Sequence, residues 1–230
     1  MSEEAATKLD PLSEGLRLLE TRLEEMGALA ERQVADAMDA LARRDAAAAQ
    51  RVIDRDDRLD RDEIEIDGIA LALLAAERPD GADLRFVTMS LKFVTDLERI
   101  GDLAANIARR VVELSRFTPI HVRADVPLLA ARVRENLHRV LDCFVRRDAA
   151  QAAEVIAADV EVDRLNASLF CDLIAQVATD YGAVTQVVPL TSVCRYLERI
   201  GDHVKNLAEE VTYMVRAVDV RHPAATREPA

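Results

Sequence analysis

The sequence predicts an all-α protein made of two tandem copies of one three-helix bundle. Three observations predict it: a composition of helix formers, six apolar runs at helical spacing, and a motif set that returns after about a hundred residues. Half of the 230 residues are hydrophobic, yet aromatics make up 3%, Trp is absent, and there are seven Gly and seven Pro. Ala, Leu, Arg and Glu lose little on entering a helix, whereas sheet formers and turn residues are sparse, so long packed helices are favoured.

Asp10-Pro11 opens the first helix as an N-cap followed by Pro at the first helical position, and the apolar periodicity carries it from Leu12 to Arg44. Asp45, ahead of an Ala-rich start, caps a second helix running to Glu77. Arg78-Pro79-Asp80-Gly81 is a turn signal, which places the third helix from about Asp83 to Phe117. Beyond Pro127 the pattern restarts, with helices over Leu128 to Arg147, Asp148 to Ala178 and Ala183 to Ala217. The division that follows is a tail over 1–11, a first three-helix repeat over 12–117, a linker over 118–127, a second repeat over 128–217 and a tail over 218–230. Helices of roughly 30 residues reach about 45 Å, so they must pack antiparallel.

The repeat is literal in places. Arg43-Arg44-Asp45-Ala46-Ala47 returns as Arg146-Arg147-Asp148-Ala149-Ala150, a displacement of 103 that also carries Asp56 onto Asp159 and Asp60 onto Asp163. Leu97-Glu98-Arg99-Ile100-Gly101-Asp102 returns letter for letter as Leu197 to Asp202, and Asn106 as Asn206, at a displacement of 100. A change of three residues falls in the turn, where length is cheap. Such identity amid otherwise diverged copies marks a duplicated unit.

The repeated acids lie off the apolar stripe. At about 100° per residue, Met89, Phe93, Leu97, Ile100, Ala104, Ile107 and Val111 share one face of the third helix, with Glu98, Asp102 and Asn106 on another. The sixth helix repeats this with Glu198, Asp202 and Asn206. On the second helix Asp56, Asp60, Glu63 and Asp67 fall on one side, where like charges repel. A lone D-x-x-x-D usually marks a solvated face; four such pairs in two equivalent settings suggest that facing helices gather carboxylates around a hard cation, since oxygen ligands suit Mg²⁺, Ca²⁺, Mn²⁺ or iron. Gly101 and Gly201 suit either close helix packing or admission of a ligand.

Composition limits the rest. A formal charge of −12 disfavours binding to nucleic-acid phosphates. Cys143, Cys171 and Cys194 form no C-x-x-C pair, which fits a reducing cytoplasm. No apolar run approaches the ~20 residues of a membrane helix, and the start of the sequence has no apolar signal-like core, so any visit to a membrane is expected through partners only.

The ordered motifs Asp56-x-x-x-Asp60, Glu98-x-x-x-Asp102, Asp159-x-x-x-Asp163 and Glu198-x-x-x-Asp202, with the LERIGD repeat and its following Asn, resemble the PhoU family of phosphate-uptake regulators over about Leu12 to Ala217. That resemblance implies a cytoplasmic accessory protein, often a homodimer, acting with the ATPase-driven phosphate ABC transporter and the sensor histidine kinase of the phosphate response. It implies restraint of both when phosphate is plentiful. It also implies divalent or trivalent metal ions (Mg, Mn, Fe, Zn or Ca) at these eight acids, with Glu63, Asn106 and Asn206 as possible further ligands or supports. The second copy departs from the first at Asn166, where Glu63 stands, and at Phe170, where Asp67 stands.

Two other readings are a helical scaffold without metal and a carboxylate-bridged di-metal enzyme. Di-iron bundles need Glu-x-x-His from each of two helices. Glu135-x-x-His138 is the one such pair, and the first copy has no counterpart. No P-loop, G-x-S-x-G or Cys/His nucleophile arrangement appears, so a non-enzyme is expected. His203, next to Asp202, points about 100° away from it and is expected at a surface or interface.

Overall fold

The computed structural model describes residues 10–119 and 125–221, and among them the chain is six long α-helices with one 3₁₀ turn and no strand. The helices are α1 (Pro11–Arg43), α2 (Ala46–Ala76), α3 (Gly81–Leu114), α4 (Val126–Arg146), α5 (Ala149–Thr179) and α6 (Val184–Arg216), the turn over Tyr181–Ala183 preceding α6. Residues 1–9 of the expected first tail, 222–230 of the expected last one, the inner part of the linker at 120–124, and with them His121 and His222, lie outside the described residues.

Local chemistry sets the helix ends. Asp10 accepts a hydrogen bond from the Ser13 amide at 2.9 Å, capping α1. The repeated Arg-Arg-Asp is a helix stop joined to a helix start. Arg44 and Arg147 end α1 and α4 in the left-handed region, at φ 50° and 53°. Asp45 then accepts from the Ala48 amide, and Asp148 from the Ala150 and Gln151 amides. Left-handed backbone is costly for a residue with a Cβ, and here each arginine is tied elsewhere. Arg44 donates to the Leu114 carbonyl at 2.9 Å, while Arg147 pairs with Glu20 at 3.0 Å and lies 5.2 Å over the Phe86 ring.

Two helix starts differ from expectation by two residues. Helix α3 begins at Gly81 and not Asp83, because Asp80 already takes the extended N-cap conformation. Helix α4 begins at Val126 and not Leu128, because Asp125 caps it through the Leu128 amide and Pro127 sits within the first turn, where its missing N–H costs nothing.

Tertiary packing joins the two repeats. Helix α3 packs on α1, α2 and α6, and α6 on α3, α4 and α5, while α1 also meets α4. The centre is therefore the α3/α6 pair, and one continuous hydrophobic core runs through both repeats. This broadens burial on α3 beyond the single stripe: Val87, Val94, Leu103 and Ala108 are buried as well.

Candidate metal centre

Each acidic cluster is assembled where two helices of one repeat come close, α2 with α3 and α5 with α6. Leu97 and Ile100 are fully buried, which fixes the rotation of α3 and turns Glu98 and Asp102 toward α2. Leu59 does the same for α2, and its Cδ1 lies against Gly101, so close that a Cβ there would stand 2.2 Å from it. In the second repeat a Cβ on Gly201 would meet Val162 Cγ1 at 3.1 Å and Asp159 Oδ1 at 3.6 Å. The motif glycines thus serve close helix approach, and that approach brings the carboxylates of the paired helices together. Because Leu59 is fully buried and has little room to yield, Gly101→Ala is expected to destabilise by about 1–2 kcal/mol. Gly201→Ala should stay within about 1 kcal/mol of the parent, the helix gain offsetting a milder contact. Paired thermal melts check this, and equal losses would contradict it.

In the first cluster Asp56 and Glu98 are mostly covered, their side chains 14% and 15% exposed. Burial first and the Asp102 charge second push Asp56 up to about 6, with Arg109 opposing and Asp60 and Asp57 adding. Burial and then Asp102 push Glu98 up to about 7, with Arg99 opposing and Glu63 and Asp60 adding. The available cations sit at arm's length. Arg109 Nη2 is 3.7 Å from Asp56, and Arg99 is 3.5 Å from Glu98 and 3.7 Å from Asp102. Glu63 accepts from Thr95 Oγ1 at 3.2 Å, and Asn106 accepts from Arg109 at 2.8 Å.

The second cluster gathers Asp159, Asp163, Glu198 and Asp202 in the same way. Burial, then Asp202 and Asp163, raise Glu198, with Arg195 opposing and Asp159 adding; burial, then Asp159 and Asp163, raise Asp202, with His203 and Lys205 opposing. Asp159 is buried, contrary to the expectation that all the acids stand apart from the core, and it accepts from Lys205 Nζ at 3.0 Å. Asn206 does not copy Asn106: its amide donates, at 3.4 Å, to Asp96 of the first repeat. The cluster opens on a groove of about 880 Å³ lined by Asn166, Phe170, Arg195 and Arg199 among others.

The eight acids therefore fall into two groups of four, the members of each linked by electrostatic contact with two or more of the others. Among the described residues, no three carboxylate, imidazole or thiol groups converge as a finished ligand set; the carboxylates face guanidinium and ammonium groups instead. The donor chemistry still fits a hard cation: oxygen donors, net negative charge and partial burial coincide, and the first cluster is poorly neutralised. Sequence reasoning missed Arg109, Lys205 and the Asp96 partner of His203. For Lys205 the signal was present, since Ala105 occupies the matching place in the first copy.

Residues outside the clusters account for the remaining expectations. His203 lies at the α3/α6 interface, its Nδ1 2.6 Å from Asp96 Oδ1. His138 faces Glu31 of α1 at 3.1 Å, while Glu135 pairs with Arg132 one turn earlier on α4 itself, so each of the two has a partner outside the acidic clusters. Cys143 and Cys194 are buried, which pushes their thiols up to about 11 and about 12 and keeps them protonated. No helix of the described residues is long and apolar enough to cross a membrane.

A family model described as PhoU domain matches residues 23–111 and again 126–211, one match over each repeat. The chain belongs to the PhoU family. It is 38% identical over 203 residues to a Pseudomonas aeruginosa protein named phosphate-specific transport system accessory protein PhoU homolog, covering 88% of this chain and 84% of the relative. A Clostridium acetobutylicum protein of the same name is 34% identical over 206 residues, covering 89% and 94%. Among solved structures, PhoU from Pseudomonas aeruginosa superposes with a TM-score of 0.86 at 36% identity, covering 90% of this chain and 99% of that one. The phosphate transport system regulatory protein PhoU from Streptococcus pneumoniae superposes with a TM-score of 0.84 at 25% identity, covering 91% and 99%. The tandem all-α architecture is thus that of PhoU proteins.

Proposed function

We propose that this chain is an accessory regulator of phosphate uptake that binds metal ions at its two acidic clusters. The transport role rests on PhoU-named relatives that match nearly the whole chain. The metal role rests on one observation: partly buried carboxylates of α2 and α3, held together by the Leu59–Gly101 contact, have among the described residues no cationic partner closer than 3.5 Å. Asp56, Asp60, Glu98 and Asp102 would hold one ion set, with Glu63 and Asn106 in reach; Asp159, Asp163, Glu198 and Asp202 would hold the other. A bound divalent or trivalent ion supplies the charge that lets these groups stay ionised together. The side chains would then clamp α2 to α3 and α5 to α6, giving a firm surface. On this reading the surface is met in the cytoplasm by the transporter's ATPase subunit and by the sensor histidine kinase, the protein acts as a homodimer, and it catalyses no reaction itself.

Two measurements test the proposal. Replacing Asp56 and Asp102 by Asn and Glu98 by Gln should remove the tightest class of Mn²⁺ sites in calorimetry while helicity persists; unchanged binding refutes the metal assignment. Deleting the gene should raise phosphate-starvation gene expression in phosphate-rich medium, and a silent reporter refutes the regulatory role. Restored repression by a variant with Glu198→Gln and Asp202→Asn added to these three changes would single out a scaffold that needs no ion.

A further inference from the structure

The two clusters share their motifs but not their neutralising charges. Helix α6 carries Lys205 three residues beyond Asp202; at the matching place in α3 stands Ala105, which is fully buried. Lys205 reaches into the second cluster, and its Nζ is 3.0 Å from Asp159 Oδ2, on a side chain only 6% exposed. Among the described residues the first cluster has no ammonium. Its nearest cation to Asp56, the Arg109 guanidinium, stands 3.7 Å away, and Arg109 is replaced by Glu209 in the second copy. That exchange makes the second copy more negative, but two others run the opposite way: Asn166 and Phe170 take the places of the acids Glu63 and Asp67. The second cluster therefore lacks two acids of the first, gains Glu209, and holds a positive charge in direct contact with Asp159.

We infer that Lys205 is a built-in counter-ion occupying the place on Asp159 that an added cation needs, so that the second cluster takes metal only when this side chain withdraws. The inference rests on the metal-binding reading above and adds to it an order of filling. An incoming ion at the second cluster must break a charge-assisted hydrogen bond to a buried carboxylate and meet a like charge close by. At the first cluster no such hydrogen bond has to break, and the guanidiniums of Arg99 and Arg109 stand 3.5–3.7 Å from the acids. Withdrawal is sterically open, because the Lys205 side chain is 39% exposed and its stem is flexible. Any partner that offers an acid to Lys205 would raise metal affinity at the second cluster, and by linkage metal would strengthen that partner's binding by the same factor. One repeat is thus a standing ion site and the other a conditional one.

Mn²⁺ binding to the full chain tests this, measured in a background where Glu98→Gln and Asp102→Asn silence the first cluster. Lys205→Met should tighten the remaining Mn²⁺ binding by about tenfold or more, whereas Lys205→Arg, which keeps the charge, should leave it as in the background. Without added metal, Lys205→Met should also lower the melting temperature by leaving Asp159 buried and unpaired, and Mn²⁺ should restore it; Lys205→Gln serves should the Met variant not fold. Unchanged Mn²⁺ affinity in both neutral variants, with the first cluster of the parent chain binding normally, overturns the inference alone. Absence of Mn²⁺ binding in the parent chain overturns the metal reading and this inference with it.

Discussion

Phe93→Ala is expected to cost about 3–5 kcal/mol of stability, the range for deleting a fully buried aromatic ring. Phe93 is 0% exposed in α3, and its ring centroid lies 4.6 Å from that of Phe144 in α4, across the boundary between the repeats. Phe144 also stacks 6.3 Å from Phe86, the ring that Arg147 covers. The contact has no aromatic mirror image: the matching residues are Val193 and Leu41. It is thus an added fastening between the two copies, and its removal should weaken the whole chain as one cooperative unit. Denaturant unfolding followed by circular dichroism checks the size, and Phe144→Ala in the same background checks the coupling, since touching residues are non-additive. A loss below 1 kcal/mol, or two separate unfolding transitions in the parent, would contradict a shared core.

The second large effect depends on pH. Glu210 on α6 is 6% exposed, and its Oε2 has no hydrogen-bond partner among the described residues. Burial first, then the Asp96 charge, push it up to about 9, with Lys92 and Arg221 opposing and Glu209 adding. A carboxyl whose pKa is raised on folding contributes stability in full below its unfolded value, near 4.5, and loses it as pH rises through about 9. Glu210→Gln should therefore match the parent near pH 4.5 and exceed it increasingly above, by about 3 kcal/mol at pH 7. Melting curves of both proteins across this window measure the divergence. Parallel curves would show that Glu210 gains no proton affinity on folding.

This position also indicates what sequence periodicity misses. A helical wheel orients Glu210 relative to its own helix, but its environment comes from α3 and from the segment after α6, which depend on how the repeats dock. Asp159 makes the same point. The wheel places it with the other acids, away from the stripe, yet α6 approaches so closely at Gly201 that this carboxylate is covered and captured by Lys205. Asp56 and Asp102, by contrast, were legible as neighbours across the pair of helices, because both helices of the first repeat display their acids at matching intervals.

Predictions tied to local sequence fared differently. Asp10, Asp45 and Asp148 cap the helices they precede, and the doubled Arg-Arg-Asp works in both copies as a stop followed by a start. Such features need only three or four neighbouring residues to form their hydrogen bonds. The helix starts at Gly81 and Val126 were set by the conformation of the preceding Asp, which composition does not reveal.

Six helices, their duplication and the helix faces that carry the repeated acids follow from the order of residues alone, because backbone capping and helical periodicity act over a few residues. Only the tertiary structure decided that α3 and α6 lie together at the centre, that His203 pairs with Asp96 across the repeats, and that the two acidic clusters carry different counter-charges. Those outcomes depend on distances between residues about a hundred positions apart, which close packing sets and local spacing leaves open.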